Sequence, residues 1–172
     1  MTIKFSKKIC LLGDFAVGKT SLVRRFVYER FDDKYISTIG VKVSRKTVVI
    51  PYQTDIANLT MMLWDLAGSE EFSKMQASYL RGTAGAALVC DLTRHDTLEN
   101  LPTYIKNLHQ VSPKAKFIIA ANKFDLTEQH QLTADQVGEL AAKFDVHYYL
   151  TSAKTGNEVE IFFRQLGKMI LD

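Results

Sequence analysis

A chain of 172 residues, 47% hydrophobic and 24% charged, is long enough to bury one core without metal or disulfide support and is not composed like a disordered protein. Its formal charge of +3 is spread over scattered basic residues, which gives no reason to expect a nucleic-acid partner. No apolar run could span a membrane, no signal-peptide core opens the chain, and no cysteine near its end could carry a lipid, so the expectation is one domain over residues 1–172, cytoplasmic, monomeric and with no membrane anchor of its own. Peripheral membrane attachment would require a lipidated tail outside these residues.

The elements follow in chain order. Lys8 to Leu12 predicts a first strand, and a helix with Leu22, Val23 and Phe26 on one face is expected from Gly18. Val41 to Ile50 and Leu59 to Asp65 predict two strands separated by PYQTDIAN, whose Pro, Asp and Asn favour a turn, so this pair is expected to be an antiparallel hairpin. Its Pro51 to Leu59 segment could serve as a partner site, although hairpin loops vary readily in length. Ala86 to Asp91 is a fourth strand candidate, followed near Asp96 by a helix carrying Leu98, Leu101, Ile105 and Leu108, with a late start or kink at Pro102. Phe117 to Asn122 and Tyr148 to Thr151 complete the strands. Between them, Thr133 with Gln136 forms a capping box ahead of Val137, Leu140, Ala141 and Phe144. A last helix places Val159, Phe162, Phe163, Leu166 and Ile170 together. This alternation of continuous apolar strands with amphipathic helices predicts an α/β fold: a six-stranded, mostly parallel sheet with one antiparallel edge strand and helices on both faces. Cys10 and Cys90 lie in apolar runs and are expected as buried free thiols. His95, His109, His130 and His147 show no metal-ligand spacing, and Trp64 is expected to pack rather than bind.

One segment carries chemistry outright. Gly13-Asp14-Phe15-Ala16-Val17-Gly18-Lys19-Thr20 matches G-x-x-x-x-G-K-[ST] and stands between an apolar strand and an amphipathic helix. In that context backbone N–H groups and the positive end of the helix wrap an anionic phosphate, Lys19 adds a mobile charge, and the Thr20 hydroxyl, next to Ser21, is placed to reach Mg²⁺.

A phosphate loop does not choose between ATP and GTP. Asn122-Lys123-Phe124-Asp125 follows an apolar strand, and GDFAVGKTS, STIG, WDLAGSEEF, YLRGTAGAALVCDLT, NKFD and TSAKTG occur in order. Through these segments the chain resembles the Ras-superfamily small GTPases over nearly its whole length, most closely the Rab branch. The resemblance implies GTP or GDP with Mg²⁺ as ligands. It implies that Asp125 accepts hydrogen bonds from the guanine N1–H and 2-amino group, that Asn122 braces the base loop against the phosphate loop, and that the Lys123 stem lies along the base. In Ser152-Ala153-Lys154 the Ala153 N–H would meet the guanine O6, and Phe31 would pack against the base, with a plain core role as its alternative. Thr38 would bind Mg²⁺ and sense the γ-phosphate, Asp65 would hold Mg²⁺ through water, and Gly68 would offer its N–H to the γ-phosphate. Effectors, exchange factors and GTPase-activating proteins would read Ile36 to Val43 and Ala67 to Tyr79.

Lys19, Thr38, Gly68 and the residue at position 69 would form the catalytic set, and two members of this region depart from the family pattern. Ser69 stands where the family carries the glutamine that orients the attacking water, and serine is too short to replace it. Phe15 stands at a phosphate-loop position that is small in most relatives, where its ring would crowd that glutamine or an incoming arginine. Both changes oppose an intrinsic reaction that already runs at only about 10⁻⁴ s⁻¹ in such proteins. The expectation is a nucleotide switch with slow hydrolysis, possible help coming from a partner or from Glu70. The alternative is an interaction module held permanently with GTP. A phosphate-loop ATPase or kinase is opposed by NKFD and by the absence of a domain for an acceptor substrate.

Overall fold

The computed structural model describes residues 2–34, 38, 40–68 and 76–172. Strand β1 runs over Ile3–Leu12, α1 over Lys19–Tyr28, β2 over Val41–Tyr52 and β3 over Asp55–Leu66. A single turn α2, Gln76–Tyr79, leads into β4, Thr83–Asp91, then come a second single turn α3, Asp96–Glu99, and α4, Leu101–Val111. Strand β5, Lys116–Asn122, is followed by a 3₁₀ turn at Thr127–Gln129, α5 over Ala134–Lys143, β6 over Tyr148–Leu150 and α6 over Val159–Leu171. The six strands lie in the order β2-β3-β1-β4-β5-β6, parallel throughout except for the antiparallel edge strand β2.

Two apolar layers clamp this sheet, as expected for strands buried on both faces. On one side Leu22, Val23 and Phe26 of α1 meet Phe162, Phe163 and Leu166 of α6 over Ile9, Leu11 and Leu63; the Phe26 and Phe163 rings stack at 4.3 Å. On the other, Leu101, Ile105 and Leu108 of α4 and Val137 and Ala141 of α5 cover Cys10, Leu88 and Ile119. Both cysteines are free and buried, and the apolar surroundings push the Cys90 thiol up to about 12.

Two local features differ from the expected elements and a third decides between expected alternatives. The hairpin is far tighter than PYQTDIAN suggested: β2 and β3 pair through to Tyr52 and Asp55, leaving only Gln53-Thr54 as the turn, with Gln53 at φ 54°. Pro51 is tolerated because β2 is an edge strand. The Val49 carbonyl faces outward to accept from Arg164 Nη1 at 2.9 Å, and Pro51, two residues on, has the same parity and needs no ladder N–H. Strand β1 starts five residues before Lys8, because Ile3 to Met62's partner Lys8 run parallel along the long β3, with the Lys8 ammonium 3.8 Å from the centre of the Trp64 ring. Finally, the helix near Asp96 is split, and α4 begins with Pro102 in its first turn, where the missing N–H has no helical partner to lose. The Thr133–Gln136 capping box forms in full.

Candidate functional site

The carboxyl ends of the strands on both sides of the β1/β4 junction, where the strand order reverses, open onto one cavity of about 340 Å³, the usual place for a ligand in an open α/β sheet. Its walls bring together Phe15, Ala16, Gly18, Lys19, Thr20 and Ser21 from the loop after β1, and Thr38 and Gly68. They also include Asn122, Lys123 and Asp125 after β5, Ala153 and Lys154 after β6, and Phe31. Leu66, Leu126 and the stretch Asp32 to Lys34 line it too. Gly13, Asp14, Val17 and Ser152 do not line it, and Ser69, Glu70 and Ile36 lie outside the described residues.

Gly18 ends the loop at φ 104°, and a Cβ there would fall 2.2 Å from Asn122 Nδ2, so only glycine lets α1 start against the base loop. Ala16 adopts the same left-handed region at φ 60°, at a cost of about 1 kcal/mol for a residue with a Cβ. The Lys19 ammonium is buried and donates to the carbonyls of Gly13 at 2.7 Å and Asp14 at 2.9 Å. Burial lowers it to about 8; Asp65 and Asp14 work in the opposite direction and Arg94 adds to the lowering. A buried cation so placed is under-compensated and is suited to an anion. Gly68 closes the other side: a Cβ on it would lie 2.6 Å from the Phe15 amide nitrogen, so its backbone rests directly on the loop. The Phe15 ring is half exposed at the cavity wall.

Beside Lys19 three oxygens converge. Thr20 Oγ1 lies 2.5 Å from both Thr38 Oγ1 and Asp65 Oδ2, and Thr38 Oγ1 is 3.5 Å from that same carboxylate oxygen. The second oxygen, Asp65 Oδ1, is buried and has no partner among the described residues. Burial raises the Asp65 carboxyl, with the Thr20 hydrogen bond and Lys19 opposing. An oxygen-only set of two hydroxyls and a carboxylate with an unsatisfied lone pair fits a hard cation such as Mg²⁺.

The base side is a separate network. Asn122, almost fully buried, donates through Nδ2 to the Val17 carbonyl at 3.0 Å and accepts from Thr151 Oγ1 at 3.1 Å. Ser152 Oγ donates to Asp125 Oδ1 at 2.7 Å, which holds one oxygen of a carboxylate that lines the cavity. From α1, Arg25 Nε donates to the Ala153 carbonyl at 2.7 Å, so the helix that starts at the phosphate loop also holds the loop after β6.

Several contacts escaped the sequence. Asp14 accepts from Asn100 Nδ2 at 2.7 Å and from the Tyr104 hydroxyl at 2.8 Å, tying the phosphate loop to α4; burial and the adjacent carboxylate together push the Tyr104 phenol above its usual range. Asp91, at the end of β4, is fully buried and accepts from Lys123 Nζ at 2.7 Å, Arg94 Nε at 3.2 Å, and the Thr93 amide and hydroxyl at 2.8 and 2.7 Å. Burial alone would raise its carboxyl, but these bonds outweigh it and hold it below the usual value. Arg94 continues through Nη2 to the Phe15 carbonyl at 2.5 Å. The Thr93 and Arg94 bonds to Asp91 are local to GAALVCDLTR, but nothing in its spacing signals the bonds from Lys123 to Asp91 and from Arg94 to Phe15, which join residues from separate loops. No cluster of His, Cys, Asp or Glu among the described residues could hold a metal by itself, and no helix among them is long and apolar enough to cross a membrane.

Residues 8–172 match the model of the Ras family. The chain is 33% identical over 170 residues to Ras-related protein Rab-8A of Gallus gallus, covering 98% of this chain and 80% of that protein. It is 33% identical over 165 residues to Rab-13 of Mesocricetus auratus, with 95% and 79% covered, and 35% identical over 164 residues to Rab-22A of Mus musculus, with 95% and 82% covered. With a sheet of the small G-domain type and a cavity built from the loops that carry the family's motifs, the chain belongs to the Ras family of small GTPases, near its Rab branch.

Proposed function

We propose that residues 1–172 form one monomeric, cytoplasmic switch domain that binds GTP or GDP with Mg²⁺, signals through Thr38 and Gly68, and hydrolyses GTP slowly on its own. The observation that carries this is the convergence on one cavity of an under-compensated buried lysine, an oxygen-only cluster and a base-facing carboxylate. In hydrolysis, water oxygen bonds to the γ-phosphorus as the bond to the β–γ bridging oxygen breaks, giving GDP and inorganic phosphate. Lys19 and the amides of Ala16 to Thr20 would balance the phosphate charge, and Asp125 would accept from guanine, whose two donors adenine does not match. Mg²⁺, held by Thr20 and Thr38 with Asp65 behind water, would supply further positive charge to the phosphate oxygens. Thr38 and the Gly68 N–H would follow the γ-phosphate, so that its loss frees both loops and changes what a partner meets at residues 36–43 and 67–79.

Slow turnover rests on Ser69 and on the half-exposed Phe15 at the cavity wall. The test is a single turnover started by Mg²⁺ on GTP-loaded protein, with phosphate release followed for hours. Wild type is expected to release almost none, and Ser69→Gln and Phe15→Gly to release it at least about tenfold faster, the scale of a regained positioning effect. Release by wild type at about 10⁻⁴ s⁻¹ or above would refute the role given to both residues. Complete silence in wild type and both variants would favour the permanently GTP-bound module.

A further inference from the structure

The phosphate loop is clamped from outside by a residue that does not line the cavity. Arg94 sits three residues past the end of β4 and holds two partners at once: Nε donates to Asp91 Oδ2 at 3.2 Å and Nη2 to the Phe15 carbonyl at 2.5 Å. The chain contains no cis peptide among its described bonds, and in a trans peptide the C=O and N–H point in opposite directions. Pinning the Phe15 carbonyl outward therefore turns the N–H of Ala16, a cavity-lining residue, toward the space the phosphates would fill. The alternative orientation of this peptide would present a carbonyl oxygen to an anion.

The loop needs such a clamp. Ala16 is left-handed at φ 60° without being glycine, a conformation that persists only when surrounding contacts over-determine it. Asp91 supplies the anchor, because it is buried and its carboxylate is shared between Arg94 and Lys123 Nζ at 2.7 Å. Lys123, itself at φ 67°, belongs to the base loop. One carboxylate thus joins the two halves of the cavity.

We infer that Arg94 is a positioning residue that holds the Phe15–Ala16 peptide with its N–H toward the β-phosphate region, and that Asp91 couples this peptide to the base loop through Lys123. The inference rests on the guanine-nucleotide reading of the cavity. It makes separate demands on the two halves of the ligand. Removing Arg94 should weaken binding of a ligand that reaches past the α-phosphate and spare one that does not, whereas removing the Asp91 carboxylate should weaken both.

The test is competition binding of GDP and GMP to the full chain in Mg²⁺, for wild type, Arg94→Ala, Arg94→Lys and Asp91→Asn. Arg94→Ala is expected to lose about tenfold in GDP affinity, as for one charge-assisted hydrogen bond, with GMP changed less than twofold, so the GDP:GMP ratio falls. Arg94→Lys should recover only part, since one ammonium cannot span both partners as a guanidinium fork does. Asp91→Asn should weaken GDP and GMP alike. An unchanged GDP:GMP ratio in Arg94→Ala, or equal loss of both ligands there, overturns the inference; if Arg94→Ala does not fold, a ratio in Arg94→Lys equal to wild type does the same. Failure of wild type to bind either nucleotide would instead sink the reading of the cavity itself.

Discussion

Lys19 and Asp125 carry separable charges in the site. The Lys19 amine sits at about 8, below its ordinary value because it is buried, so in the nucleotide-free protein its charged form opposes folding below pH 8 and this opposition is relieved as pH rises toward the unfolded value. Denaturant midpoints of nucleotide-free wild type should therefore improve relative to Lys19→Met between pH 7 and 9.5, by about 2 kcal/mol. Asp91 has the opposite sign. Its carboxyl is held below the usual value, so it contributes stability above the unfolded carboxylate range that is lost as pH falls through the lowered value. Asp91→Asn should be less stable at pH 7, and its acid unfolding curve should be shallower below pH 4, the ordinary carboxylate range. On the proposed role of Asp125 as the acceptor for both guanine donors, Asp125→Ala should cut guanine-nucleotide affinity more than about a hundredfold; a loss under tenfold in competition binding would refute that role. Lys19 and Asp125 were legible in the sequence because each belongs to a short contiguous pattern. Asp91 and Arg94 were not, since the partners that tie them to the site, Lys123 and Phe15, come from the loops after β5 and β1.

At the scale of elements, the same contrast separates helices from the hairpin. The capping box at Thr133 and Gln136 is local, with the Gln136 amide donating to Thr133 Oγ1 at 3.2 Å and the Thr133 amide to Gln136 Oε1 at 2.9 Å. Thr133→Ala should therefore destabilise α5 by about 1 kcal/mol, visible as a lower urea midpoint with an unchanged slope. The hairpin was read with its turn six residues too long, because Pro51 and Asp55 are turn residues by propensity and Pro51 is harmless only on an edge. That β2 is the edge is decided by the order of strands and not by the segment itself. The split before α4 follows from Pro102, whose place at a helix start was open in the sequence between a late start and a kink.

For the whole molecule, the cavity is a junction of loops whose braces, Asn122 to Val17, Arg25 to Ala153 and Arg94 to Phe15, connect its phosphate and base sides. Occupying both sides should stabilise the entire fold: at about a hundred times the dissociation constant, GDP with Mg²⁺ should add about 2.7 kcal/mol, and chelation with EDTA should return much of that shift in a thermal melt. No shift with GDP would contradict the proposed ligand. The sequence by itself determined the family and the alternating strands and helices, because strand and helix periodicity and contiguous motifs are properties of neighbours along the chain. Only the tertiary structure decided that β2 pairs to its last residue at the sheet edge, that Asp14 is tied to α4, and that Asp91 and Arg94 join the two loops. Those contacts depend on which strand ends meet at the β1/β4 junction, and side chains as far apart as Phe15 and Arg94 become neighbours only once the sheet has assembled.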